Sequence, residues 1–365
     1  MTGVRLTRRA LLAGAAAASL VPRGRAAAQS PEWQAIVAAA KKEGQVTVNT
    51  FPGDGYKRAL KHFTAAYPDI KLEHTQLHSQ DFAPRILRER QASLFTWDVA
   101  LIPTSTALQV LRPAGVWDPI RPAIVLPEVK DEAGWEGGFE RGFMLVKDRA
   151  LCYGFVANRG PGVTINTDMV KEDQIRSLKD LLDPRWKGKM VVPDVRVMGD
   201  TFWPMTAARH TMGDDIIKKL FVDQEPVLSR DNRQVAEFMV RGRYPIGVSL
   251  NQQVLSGFQK QGLGKNLKLL FFPEMDLMSS SSSVLWLVNK APHPAAAKVF
   301  INWLLTKDAQ AQWAKEVEMN SRRVGVEPGN PPYAVPKGAK FMQIDAEENL
   351  PEIIKTQDIA KAVIK

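Results

Sequence analysis

The sequence predicts an α/β protein built as two lobes. Three observations predict it. A β-α-β-α-β order is readable over residues 45–111, a second α/β unit begins after Asn158, and 365 residues suit about two domains or one large domain with two lobes. Hydrophobic residues at 45% and charged residues at 24% are an ordinary globular balance, which argues against long disorder and a collagen-like chain. With one cysteine, Cys152, no disulfide can form within the chain, so the residue reads as buried packing between Leu151 and Tyr153.

The first helix has its punctuation in place: Ser30 as N-cap, Pro31 at the first helical position and Gly44 as the stop. QVTVNT over 45–50 alternates and reads as a strand. Phe51, Pro52, Gly53, Asp54 and Gly55 form a turn, and a helix follows over 56–66. A second strand is expected over 70–77, a helix over 82–93, a buried strand over 98–102 and a short helix over 105–111. In the second unit, residues 177–182 are helical and stop at Asp183-Pro184. Strands are expected over 190–193, 245–250 and 267–272, with helices over 231–241 and 251–260 and one opened by Gly199, Asp200 and Thr201. A strand over 284–288 and a helix pair over 294–305 and 307–316 close the pattern, and the tail is Pro-rich and then helical. The serines at 279–283 read either as a linker or as a crossing between lobes.

The first 28 residues have a different character. Arg5, Arg8 and Arg9 are followed by twelve apolar residues and by Ala26, Ala27 and Ala28, the layout of an export signal cleaved near Ala28. Thr7-Arg8-Arg9 resembles the twin-arginine export motif. Removing this segment removes five arginines and no lysine or acid, which lowers the formal charge from +10 to +5. So mild an excess, with no basic stripe after residue 29, argues against a nucleic-acid partner. No later apolar run is long enough to cross a membrane.

Several ordered pieces then carry a resemblance. They are Ala40-Lys41-Lys42-Glu43-Gly44 before the first strand, Tyr67-Pro68-Asp69-Ile70 before the second and Trp97-Asp98-Val99 at the third. Residues 180–189 (DLLDPRWKGK), Asn302-Trp303-Leu304-Leu305, Gln310 and Ser321-Arg322 complete the series. Together they resemble a periplasmic substrate-binding protein of an ABC importer, in the type II, ferric-ion-binding-like branch. The resemblance covers residues 30–330. It implies a two-lobed type II periplasmic-binding-protein fold, each lobe a mixed sheet flanked by helices, with a ligand cleft between. Lobe one is then 30–155 plus 278–325, and lobe two 156–277 plus 326–365. It also implies a carrier with no cofactor and no catalytic residue, a monomer whose partners are a small-molecule solute and an inner-membrane ABC permease.

Ligands of open α/β sheets sit beyond the carboxyl ends of the strands. Four loops qualify. Phe51, Gly53 and Asp54 follow the first strand, where Gly53 allows close approach or simply makes the turn. Thr104 and Ser105 follow the third strand and either cap the next helix or offer hydroxyls. Gly199, Asp200 and Thr201 open a helix suited to an anion, with Arg196 near as a bidentate partner for a carboxylate or as a solvated side chain. Ser249, Asn251 and Gln252 follow the strand at 245–250. Arg322 is a further charge partner or a solvated residue. In ferric-ion-binding relatives two adjacent tyrosines open the corresponding helix; Gln252-Gln253 stand there, and Pro103 stands where a loop carboxylate is expected. The five histidines show no metal spacing. The expectation is therefore a small polar or anionic organic solute, with a ferric-ion carrier as the alternative. An exported enzyme is less favoured because zinc-protease, phosphate-loop and serine-elbow motifs are absent.

Overall fold

The computed structural model describes residues 30–197, 199–280 and 283–365. The export signal expected at 1–28 and the serines at 281 and 282 lie outside the described residues.

Fourteen strands are described: β1 (Gln45–Thr50), β2 (Lys71–Gln76), β3 (Val99–Leu101), β4 (Trp117–Asp118), β5 (Cys152–Gly154), β6 (Asn158–Arg159), β7 (Val163–Asn166), β8 (Met190–Pro193), β9 (Val227–Ser229), β10 (Ile246–Val248), β11 (Leu267–Leu270), β12 (Leu277–Ser279), β13 (Val284–Val288) and β14 (Met342–Gln343). They form two main sheets and a small third one. The first has the order β2-β1-β3-β13-β4, with β5 also on β13; the second runs β11-β7-β10-β8-β9. Both are mixed: β1, β2 and β3 are parallel, as are β8, β9 and β10, while β13 and β7 run against them.

Side-chain alternation explains why each sheet is covered on both faces. Val99 and Leu101 point into one core with Val48, Phe63 and Phe300, while Ala100 and Ile102 join Phe82, Trp97 and Trp286 on the other face. In the second sheet Met190 and Val192 enter one core and Val191 another. The first helix (Pro31–Glu43) is capped as the sequence predicts: the Ser30 hydroxyl accepts from Trp33 N–H at 3.2 Å, and Gly44 takes a left-handed φ of 70°.

The family-like pieces are structural fasteners. Asp98 is fully buried and accepts from Thr47 N–H, His293 N–H and the His293 ring, tying β1 and β3 to the start of the helix Pro294–Leu305. Asn302, also fully buried, accepts from the N–H groups of Val125 and Leu126 and donates to the carbonyls of Ala123 and Lys298. Gln310 donates to Leu304 and accepts from Ser321. Cys152 packs fully buried in β5, and burial pushes its thiol pKa well up.

The lobes are joined where two chain crossings lie side by side. β5 pairs antiparallel with β13, and β6 pairs antiparallel with β12, so residues 152–159 run beside 277–279 and 284–286. The tail adds a further pass. β14 pairs with β12, Ala334 bridges Asn158, and the helix Leu350–Val363 packs on the helix Phe202–Met212 of the second lobe. On the way, Glu347 pairs with Arg112 and accepts from Lys147 N–H, so the tail holds both lobes.

Candidate functional site

Strand direction decides which loops face the crossing. The carboxyl ends of β1, β2 and β3 lie at the edge where β13 begins and β5 ends, and those two lead into the crossing segments. The same holds in the second lobe, where the carboxyl ends of β8, β9 and β10 share an edge with the start of β7 and the end of β11. The loops after these strands therefore look toward the interlobe side.

On the lobe-one rim, Phe51 is half-buried and its ring meets His78 edge-on at 4.4 Å. Gln76 donates to the Gly53 carbonyl at 2.7 Å, which fixes the turn, and Asp54 is exposed beside Lys57. Neither Thr104 nor Ser105 caps the following helix: Pro103 holds the N-cap, and the turn Thr104–Thr106 runs on into a π-helical turn, Ala107–Leu111. Thr104 is buried instead and donates to the Asp345 carbonyl at 2.6 Å, so the tail occupies its hydroxyl. Ser105 is half-buried.

The lobe-two rim is where predicted residues converge. The Asp200 carboxylate accepts from the side-chain amides of Asn251 at 2.9 Å and Asn232 at 3.1 Å, joining the loops after β8, β9 and β10. Asn251 also caps its own helix, accepting from Val254 N–H. Ser249 holds a left-handed φ of 54°, unusual for a residue with a Cβ, and its N–H donates to Gly162. Its hydroxyl and that of Thr201 are buried and have no hydrogen-bond partner among the described residues. Gln252 bonds the hydroxyl of Tyr333, which the tail brings over this rim, while Gln253 is exposed. Burial raises the pKa of Asp200, and burial followed by the Asp200 charge raises that of Tyr333. Phe271 meets Tyr333 edge-on at 5.6 Å, and the Arg159 guanidinium covers Phe271 while forking onto Asp276.

Both arginines considered as charge partners are already engaged within the chain. Arg196 forks onto Asp194 two residues earlier and reaches the Lys365 carbonyl; Arg230 takes the same carboxylate. Arg322 is 6% exposed and donates to the carbonyls of Gly154, Glu136 and Gly138 at 2.7–2.9 Å. The helix start at 199–201, expected to suit an anion, carries a carboxyl group of its own in Asp200. Asn232 and Tyr333 join the rim without having been singled out in the sequence. Among the described residues, no group of three or more His, Cys, Asp and Glu side chains is placed to hold a metal, and no helix is long and apolar enough to cross a membrane.

Comparison with known proteins accounts for the architecture. The model of the family described as bacterial extracellular solute-binding protein matches residues 58–320. The chain belongs to this family. The family is one of exported binding proteins rather than enzymes. Among solved structures, iron-bound HitA from Pseudomonas aeruginosa is similar at 18% identity and a TM-score of 0.63, with 87% of this chain and 99% of that chain covered. AfuA from Actinobacillus pleuropneumoniae with bound fructose-6-phosphate has 19% identity, a TM-score of 0.61 and coverage of 87% and 99%. The Trichodesmium protein in complex with iron and citrate has 16% identity, a TM-score of 0.65 and coverage of 88% and 99%. No curated protein sequence matches the chain. Identities this low speak for the two-lobed fold alone.

Proposed function

We propose that this solute-binding protein is the periplasmic component of an ABC importer, capturing a small polar organic solute between its lobes and delivering it to an inner-membrane permease. The observation that carries the reading is the convergence of Asp200, Asn232, Asn251 and Gln252 beside the crossing strands, with Tyr333 over them. Amides, a carboxylate and a phenol form a directional hydrogen-bonding surface that suits a polar molecule. Phe51, Gly53, Asp54 and Ser105 form the opposing rim. The lobes, residues 30–155 with 278–325 and 156–277 with 326–365, turn about the paired crossings, and the solute selects the closed form by bridging both rims.

The segment at 1–28 is the export signal, of the twin-arginine type, cleaved near Ala28 to leave a monomer in the periplasm. The mature protein should be stabilised by its solute without consuming it. A thermal-shift screen over organic acids, phosphonates, polyamines, sugars and ferric citrate tests this. A shift with at least one organic class supports the reading. A shift with ferric citrate alone would turn it toward a ferric carrier, and product formation by the purified protein would show an enzyme.

A further inference from the structure

Two carboxylates stand in the loop after β8, and they are treated differently. Asp194 is met by two guanidinium groups, Arg196 and Arg230. Asp200, six residues on, pairs with no lysine, arginine or histidine among the described residues; its side-chain partners are the two amides. Amide donors orient a carboxylate but leave its charge in place. Burial raises the pKa of Asp200 itself, and burial followed by the Asp200 charge raises that of Tyr333. The residue is half-buried, so full hydration does not offset the missing cation.

A second observation points the same way. Thr201 follows Asp200 directly and is 1% exposed; Ser249, two residues before Asn251, is 0% exposed. Both hydroxyls lack partners among the described residues. Buried polar atoms are nearly always satisfied, so two orphans in the loops that carry Asp200 and Asn251 mark incomplete bonding there. An anionic solute would meet repulsion from Asp200 and find Arg196 and Arg322 already engaged.

We propose that Asp200, held by Asn232 and Asn251, receives a protonated nitrogen of the solute, so that the cargo is an organic amine, guanidine or amidine, cationic or zwitterionic. This rests on the carrier reading and deepens it, replacing the anionic preference of the sequence. Asp200 and the ligand N–H groups form a charge-assisted bond, and the two amides fix the carboxylate plane.

The test is a thermal-shift and calorimetric comparison on the mature protein with matched probes. Putrescine, spermidine, arginine and methylguanidine form the amine arm. Glutarate, ethylphosphonate and glucose form the other, and 2-aminoethylphosphonate carries both charges. The expected result is stabilisation by an amine-bearing probe, with affinity falling about tenfold to a hundredfold in Asp200→Asn. Unliganded Asp200→Asn should unfold at the wild-type temperature or above, which separates lost binding from lost folding. Asp200→Glu, keeping the charge but lengthening the arm, should retain the amine preference at reduced affinity. Stabilisation confined to acids or glucose, or amine binding unchanged in Asp200→Asn, overturns the inference while leaving the carrier reading intact. No shift with any probe overturns both.

Discussion

Replacing Arg322 by methionine separates a structural arginine from a ligand-binding one. Its guanidinium donates to three carbonyls, Gly154 at 2.8 Å, Glu136 at 2.9 Å and Gly138 at 2.7 Å, and Gly154 lies in the strand that leads into the crossing. Methionine keeps the apolar stem but leaves three acceptors without their donor. Each stranded acceptor costs about 1–3 kcal/mol, a gross loss of about 3–9 kcal/mol. Relief from burying a guanidinium opposes this by several kcal/mol; burial holds the Arg322 pKa down, the same cost seen from the charge. The net destabilisation is about 2–5 kcal/mol. For a lobe of this size, about 2–4 °C is lost per kcal/mol, so the melting temperature should fall by about 4–20 °C. The assay is thermal unfolding by circular dichroism, paired with calorimetric titration of a stabilising solute at a temperature where the variant stays folded. Affinity should stay within about threefold of wild type, since no solute contact is lost. Wild-type melting with abolished solute binding would refute the reasoning and return Arg322 to the cleft.

Three further outcomes follow from particular contacts. Asn302→Ala strands the N–H groups of Val125 and Leu126 and the Ala123 carbonyl, and should cost about 2–5 kcal/mol in chemical denaturation; a change below about 1 kcal/mol would contradict the assigned bonds. Burial, aided by the Lys57 charge, pushes the His74 pKa from 6.5 down to about 4, so between those values the unfolded chain binds more protons. Stability should therefore be full above pH 6.5 and decline as pH falls toward 4, and His74→Gln should flatten that part of the melting curve. A Cβ at Gly162 would overlap the Leu270 carbonyl oxygen, whereas one at Gly257, inside the helix Gln252–Lys260, meets nothing within 4 Å. Gly162→Ala should thus lower stability by about 1–3 kcal/mol and Gly257→Ala raise it by about 0.5–1 kcal/mol, read as opposite shifts of the unfolding midpoint.

The main sheets were legible because their strands alternate between two cores, as at Val99 to Ile102, and because caps such as Ser30 and Gly44 are local signals. The shorter elements were not. β9 spans Val227–Ser229 with half-buried residues and no clear period, and overlooking it hid the loop that presents Asn232. β6 and β14 are two residues each, too short for any pattern. Tyr333 reaches Gln252 from a Pro-rich tail distant in sequence, a contact that only tertiary structure makes. The partners of the two arginines were hidden for another reason: sequence gives a charge its position but not its partner. Arg196 did carry a readable sign, since Asp194 two residues earlier is close enough to fork with it. Arg322 carried none, because its partners are backbone carbonyls.

That difference bears on what a binding cleft retains. A buried charge met by an opposite charge within the protein is part of its scaffold, and Asp194 with Arg196 and Arg230 is of that kind. Arginines were at hand in the loops after β8 and β9, yet both lie on Asp194 and neither on Asp200. Leaving a half-buried carboxylate with amides alone does not serve stability, because amides hold it in place without neutralising it. The imbalance is relieved when a positive group arrives from outside. A carrier gains from such an arrangement, since the contact missing in the unliganded state is the one its solute supplies on binding.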